Sequence, residues 1–319
     1  MDINAIAGNL DAARANRKVA FIFPGQGAQY PSMGSELYES SSAAREVFNI
    51  ADSIRPGTSN QCFHGSEDEL RITANTQPCL FCVDLAAAAA LHEAGITPAM
   101  LAGFSLGELA ALTFAGALSY ESGFRLVCKR ADYMHSSAKQ ADAGMSAVLK
   151  LSDEAVINIC SDFDNIFPVN FNCPGQVVVA GNKHELELLK AKVKEAGGRA
   201  VPLKTSGAFH SPYMAGASEA FAKALDEFDM LAPQIPVYSN VTALSYDGDY
   251  KELLAKQISS PVLWSSVIRQ MIAAGAEVFV EVGPSKTLCG LVERISDSVR
   301  VLNVEDRNSL QSAIKELTD

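Results

Sequence analysis

The sequence predicts an α/β protein with a small unit set into a larger one, and three observations carry that reading. Short apolar runs alternate with helix-length periodic segments, the pattern of a largely parallel sheet. The middle of the chain breaks this rhythm with two strands joined by a tight turn. The length of 319 residues exceeds the usual size of one core, so two structural units are expected.

Val19 to Phe23 is an apolar run ended by Pro24-Gly25, a buried strand followed by a turn. Thr76 to Ala94 has the period and the Ala and Leu content of a buried helix; Ala99 to Ala102 is a short strand, and Leu106 to Leu118 resumes as a helix. The middle segment predicts a strand at Met145 to Leu151, a helix at Asp153 to Asp162 capped by Ser152, and a strand at Ile166 to Phe171. After the turn Asn172-Cys173-Pro174-Gly175 come a strand at Gln176 to Ala180, an amphipathic helix at Lys183 to Ala196 ended by Gly197-Gly198, and a strand at Arg199 to Leu203. This β-α-β-β-α-β order is that of a ferredoxin-like unit. The expected division is therefore a main domain of residues 1–142 and 207–319 with an inserted ferredoxin-like domain of 143–206. A cleft between the two is the natural place for an active site.

Composition narrows the function classes. Apolar residues make up 48% and charged residues 20%, ordinary for a globular chain. A net charge of −11 argues against nucleic acid as a partner, since phosphate attraction needs a basic stripe. Seven scattered cysteines read as reduced thiols. The opening MDINAIAGNLDAARANRK lacks the basic-then-apolar order of a signal peptide. The Ala-rich stretch Ala86 to Ala90 is flanked by Asp84, His92 and Glu93, too short an apolar run to span a membrane. A cytoplasmic protein with no membrane partner is expected.

Gly103-Phe104-Ser105-Leu106-Gly107 matches G-x-S-x-G between an expected strand and an expected helix. There a sharp turn exposes the hydroxyl, and the free N–H groups of the helix N-terminus stand where an oxyanion develops. An ordinary turn with a capping serine is the other reading. A nucleophilic serine needs a base, and five histidines are available. His92 and His135 fall within helices, His184 opens a surface helix, and His64 lies in a polar loop. His210 follows Gly207-Ala208-Phe209 and precedes Ser211-Pro212, an N-cap and first-turn pair whose helix would favour neutral imidazole. Spacing alone leaves a structural histidine open. Phe23-Pro24-Gly25-Gln26-Gly27-Ala28-Gln29 is a glycine loop at a strand's carboxyl end, where a second oxyanion donor belongs. Tyr30 occupies the third glycine position of a dinucleotide fingerprint, which removes that alternative. Cys79-Leu80-Phe81-Cys82 falls inside an expected helix with no second pair and reads as core. No metal site is expected.

Taken together, FIFPGQGAQ at Phe21, GFSLGELAAL, RLVCKRADYM, NFNCPGQVVVAG, GAFHSP, QISSPVLW and VEVGPSKTL at Val280 resemble the malonyl-CoA:acyl carrier protein transacylases of fatty-acid and polyketide synthesis, nearly end to end. The resemblance implies an α/β-hydrolase-like main domain with the ferredoxin-like insertion. It implies Ser105 as the acylated nucleophile, His210 as its base, and Gln257 as support for His210 through a backbone carbonyl. Gln26 and Leu106 would supply the oxyanion N–H groups. Arg130, which alone would pass for a solvated helix residue, would bind the malonyl carboxylate with its planar fork. Malonyl-CoA and an acyl carrier protein would be the partners. No resident cofactor is implied, because coenzyme A and phosphopantetheine arrive with the substrates.

Two positions depart from the family pattern. Phe104 stands where histidine is common, making one pocket wall more apolar, and Ser285 replaces a common glycine. Phe209 resembles malonyl-selective members and should clash with a branched extender. Carriers of this kind are typically acidic, so this acidic chain needs a local basic surface to meet one. Arg199 and Lys204, on the last strand of the insertion, are the candidates. Three other functions share parts of the pattern: a thioester hydrolase, an acyltransferase serving a polyketide synthase, and a non-catalytic carrier-binding protein.

Overall fold

Strand β1 (Val19–Phe23) buries Ala20 to Phe23 completely and lies at the centre of a five-stranded parallel sheet. The structure is a computed structural model describing residues 17–205 and 207–319. The opening segment read for a leader, up to residue 16, and the boundary position 206 lie outside the described residues. Five helices connect β1 to β2 (Met100–Gly103): α1 (Ser35–Ser40), α2 (Ser42–Ile54), α3 (Thr58–His64), α4 (Glu67–Leu70) and α5 (Thr73–Glu93). His64 thus ends a helix rather than lying in a loop. Apolar on all sides, α5 is buried along almost its whole length and serves as the spine of the main core. It carries Asp84, fully buried, whose two carboxylate oxygens have no hydrogen-bond partner among the described residues. Burial, and then the neighbouring Glu281, push that carboxyl well above the ordinary range.

After β2 come α6 (Leu106–Phe114) and α7 (Tyr120–Ala138). The first ends four residues earlier than its periodicity predicts. Gly116, at φ 81°, turns the chain there, and its N–H and that of Ala117 close on Thr113 and Leu112.

Strand β3 (Ala143–Leu149) then opens a second sheet, followed by α8 (Asp153–Cys160), β4 (Ile166–Cys173), β5 (Gln176–Asn182), α9 (Lys183–Glu195) and β6 (Arg199–Pro202). The four strands pair antiparallel in the order β4-β5-β3-β6. Ser152 accepts the N–H of Ala155 at the start of α8, as its sequence position predicts. Pro202, on the edge strand, sits where a missing N–H costs no ladder bond. Val148, Val177, Val179, Leu189 and Val193 give this sheet its own core with its two helices. Strand β4 is fastened to the rest of the chain where Phe171 donates to Val262 and Val262 donates to Val169, at 2.9 and 2.8 Å.

The chain returns through a 3₁₀ turn (Pro212–Met214) into α10 (Ala215–Leu225), β7 (Val237–Tyr238), α11 (Tyr250–Gln257), α12 (Trp264–Ala273), β8 (Val278–Val282), α13 (Thr287–Ile295), β9 (Arg300–Val304) and α14 (Arg307–Thr318). The parallel sheet has the order β7-β2-β1-β8-β9. The carboxyl ends of β1 and β2 lie side by side, Phe23 opposite Gly103, and bring the two glycine-flanked loops together. Among the described residues no helix is long and apolar enough to cross a membrane.

Candidate active site

Ser105 follows β2 and caps α6 with φ 54° and ψ −103°, a backbone conformation rare outside glycine. Its flanking glycines are required by contact. A Cβ on Gly103 would fall 1.8 Å from the Gly107 carbonyl carbon, and one on Gly107 would fall 2.1 Å from the Phe23 carbonyl oxygen. The strand-to-helix corner closes only where both lack side chains.

His210 lies at 2.7 Å from the Ser105 hydroxyl through Nε2, while its Nδ1 is 2.9 Å from the Gln257 carbonyl oxygen. A carbonyl only accepts, so Nδ1 carries the proton and Nε2 is left to accept from Ser105. Burial, and then the charge of Arg130, lower the imidazole to about 4. The sequence-based reason for neutrality differs. The 3₁₀ turn separates His210 from α10, so burial and a neighbouring cation hold the ring neutral, not a helix end. The sign follows directly: the base is competent above its own pKa. The acid limb of kcat/KM for acylation should therefore lie well below 6.5, near the imidazole's value of about 4, and a limb at 6.5 in a stopped-flow profile would contradict it.

Arg130 is 1% exposed, against its sequence appearance as a surface arginine. Its Nη1 donates to Gln77 Oε1 at 2.7 Å; its Nη2 donates to Gln257 Oε1 at 2.7 Å and to Ser105 Oγ at 3.2 Å. Both amide partners are neutral, and Nε has no acceptor among the described residues. Burial lowers the guanidinium to about 10, against the opposing pull of Glu108, so it stays charged at neutral pH. Among the described residues this buried cation has no direct carboxylate partner, and beside the Ser105 hydroxyl it is able to take up an anionic group.

Gln257 joins these parts. Its Nε2 donates to the Ser105 carbonyl at 2.7 Å and to Glu108 Oε2 at 2.6 Å. Glu108 is fully buried and also accepts from Tyr246 Oη and from the Asn240 N–H. Burial pushes its carboxyl up to about 7, with the hydrogen bonds from Tyr246 and Gln257 opposing. Ser105 borders a cavity of about 90 Å³ lined by Gln77, Arg130, Met134, Met145, Phe209 and His210. A larger one of about 450 Å³, lined by Tyr30, Arg71, Asn172 and Lys204 among others, shares Gln26, Phe104, Leu203 and Thr205 with it. Together they suit a small acyl group at the end of a long thioester arm.

Residues 20–319 match the family described as acyl transferase domain. The chain belongs to the acyl transferase family. This acyltransferase is 38% identical over 310 residues to the malonyl CoA-acyl carrier protein transacylase of Bacillus subtilis (strain 168), covering 95% of this chain and 98% of that one. The crystal structure of malonyl CoA-acyl carrier protein transacylase from Clostridium perfringens Atcc 13124 superposes with a TM-score of 0.91 at 36% identity, covering 94% of this chain and 97% of that one. A type II PKS acyl-carrier protein in complex with its malonyl-transacylase offers a further match, with a TM-score of 0.90 at 31% identity, covering 93% and 99% of the two chains.

In the acyltransferase, Ser105, His210, Arg130 and Gln257 meet directly. Gln26 and Leu106 both line the cavity at Ser105, and Leu106 opens α6, where first-turn N–H groups have no intrahelical acceptor. Phe104 stacks edge-on against Trp264, with ring centroids 5.4 Å apart, and walls both cavities; Phe209 is buried beside His210. Ser285 adopts φ 76°, the conformation a glycine would take there, and its N–H donates to Glu305 at 2.8 Å. Cys79 and Cys82 are buried in α5, and all seven cysteines are free. The two basic candidates separate: Lys204, just past β6, is at the rim of the larger cavity, whereas Arg199 pairs with Leu149 at the other end of the strand. Five residues of extended chain put roughly 16 Å between them. Glu108, Gln77, Tyr246 and Asn240 were not singled out from the sequence. Only Glu108 carried a signal, lying one helical turn beyond Ser105 on α6.

Proposed function

We propose that this acyltransferase carries a malonyl group from malonyl-CoA to the phosphopantetheine thiol of an acyl carrier protein, through a malonyl-Ser105 intermediate, in supply of fatty-acid synthesis. The observation that carries the reading is the Arg130 fork at 3.2 Å from the Ser105 hydroxyl, which suits an acyl group ending in a carboxylate one methylene from the thioester carbon. Ser105 Oγ attacks that carbon and gives its proton to His210 Nε2. The N–H groups of Gln26 and Leu106 receive the oxyanion, the C–S bond breaks, and His210 returns the proton to the leaving sulfur. The carrier thiol then runs the steps in reverse: its proton goes to His210, its sulfur attacks the ester, and Ser105 leaves reprotonated. The side chains of Ser105, His210 and Arg130 and the main-chain N–H groups of Gln26 and Leu106 supply the acid, base and charge stabilisation this needs, so the reaction asks for no metal or resident cofactor.

The β-α-β-β-α-β order and the strand order of the second sheet support a ferredoxin-like insertion at residues 143–206. The parallel sheet with its nucleophile corner supports an α/β-hydrolase-like domain of 1–142 and 207–319. The reading places the enzyme in the cytoplasm with its soluble substrates. A role with a polyketide carrier is the second reading, favoured by the similar transacylase solved with a type II PKS carrier. Incubation with malonyl-, methylmalonyl- and acetyl-CoA, with and without each holo-carrier, followed by intact mass spectrometry, tests both. Malonyl transfer to a carrier is expected; hydrolysis without transfer, or acetyl transfer as fast as malonyl, would refute the proposal.

Lys204, exposed at the cavity rim, supports a carrier contact there, with Arg199 at the far end of β6. Lys204→Glu is expected to raise the KM for carrier with little change in self-acylation. That effect should fade with salt, since exposed charges are screened over about 10 Å at 0.1 M. An unchanged carrier KM at low salt would move the docking surface elsewhere.

A further inference from the structure

Ser105 holds a strained backbone conformation, φ 54° and ψ −103°, of a kind that persists only where the surroundings over-determine it. Its main-chain N–H and C=O are both gripped by side chains from the far end of the chain. The N–H donates to Asn240 Oδ1 at 2.7 Å and the C=O accepts from Gln257 Nε2 at 2.7 Å. Asn240 uses its other amide group as well, Nδ2 donating to the Gly103 carbonyl at 2.7 Å. Backbone pairing between β2 and β7 ends at Ala102 and Tyr238. Two residues farther on, the Asn240 amide continues that ladder, offering a donor and an acceptor as a peptide group would, but across the corner where β2 stops being a strand.

Asn240 is itself immobilised. It is fully buried, its own N–H donates to Glu108 at 3.2 Å, and its carbonyl accepts from Leu263 at 2.9 Å. Each of its polar groups is used, and two of them fix the nucleophile turn. Because Asn240 occupies the Ser105 N–H, that group is withdrawn from the oxyanion site, leaving the next residue's to serve there.

We infer that Asn240 is a positioning residue for the reaction: its side-chain amide clamps the Ser105 corner so that the hydroxyl points at His210. The inference rests on Ser105 being the nucleophile. Asn240 lines neither of the two cavities, so its loss should appear in kcat and not in KM. Asn240→Ala removes both clamp bonds; Asn240→Asp keeps the volume and the acceptor toward Ser105 but sets an oxygen against the Gly103 carbonyl. A misplacement of the reacting atom by about 1 Å costs on the order of 10²-fold, so both variants should lose kcat by roughly that factor. The KM for malonyl-CoA should stay within about threefold, the sign of an interaction made in the transition state alone.

A second readout avoids the substrate altogether. A small arylsulfonyl fluoride labels a nucleophilic serine, and peptide mapping locates the label. The unaltered enzyme should be labelled at Ser105, and both variants should react more slowly by a factor similar to the loss in kcat. If the unaltered enzyme is labelled elsewhere or not at all, the nucleophile assignment fails. If it is labelled at Ser105 and a folded Asn240→Ala or Asn240→Asp variant is labelled as fast, or loses only KM, the clamp is wrong. Circular dichroism establishes folding, and the isosteric aspartate variant decides the matter should the alanine variant not fold.

Discussion

Ser105→Ala should leave a folded protein that no longer acquires a malonyl group. The side chain packs little: its hydroxyl meets His210 and Arg130 at the edge of a cavity, and alanine faces the same left-handed backbone without adding bulk. The clamping bonds run to main-chain atoms of residue 105, so they survive the substitution. The thermal midpoint should move by no more than a few degrees, the scale of about 1 kcal/mol in a protein of this size. Activity should fall far more, on the order of 10⁴- to 10⁶-fold, because a residue that forms the covalent bond has no substitute. Intact mass spectrometry after mixing with malonyl-CoA reads this directly. An adduct of undiminished yield in the variant would place the nucleophile elsewhere, and the mechanism would have to be rebuilt around that residue.

What the sequence revealed and what it hid follow the range of the interactions. The corner at Ser105 was legible because its chemistry is local: a strand, two glycines forced by contact and a helix start lie within five residues. The insertion was legible for the same reason, as turn residues and periodicities succeed one another along the chain. The apolar period of helix α6 continues past Gly116, so the sequence predicts a longer helix than the backbone, which turns there, allows. The residues that complete the site are long-range. Asn240 meets Ser105 across 135 positions and Gln257 meets it across 152, and no spacing rule connects them. Arg130 shows the limit most plainly. Its helix is polar enough to place it on the surface, yet folding buries it against Gln77 and Gln257. The family resemblance implies its role, and the geometry supplies a reason: its fork faces the Ser105 hydroxyl with no carboxylate bound to it among the described residues.

Arg130→Ala should separate malonyl from acetyl transfer. With the fork gone, the substrate carboxylate enters a buried cavity unpaired, and leaving one buried charge without its partner costs roughly 3–5 kcal/mol. At about 1.4 kcal/mol per decade, kcat/KM for malonyl-CoA should fall on the order of 10²- to 10⁴-fold. Acetyl-CoA brings no carboxylate, so its transfer should fall much less. Arg130→Lys should be intermediate, since a point charge cannot hold Gln77, Gln257 and a carboxylate in one plane. The substitution should also change the pH profile. Arg130 is one of the causes lowering His210, and its positive charge also pulls Glu108 down. Without it the imidazole rises toward its ordinary value, and the acid limb of acetyl transfer should move upward in pH. Glu108 should rise too, adding a proton beside Gln257 at neutral pH. A packing role alone would lower both substrates equally and leave the limb in place, and that pair of results would remove Arg130 from carboxylate recognition.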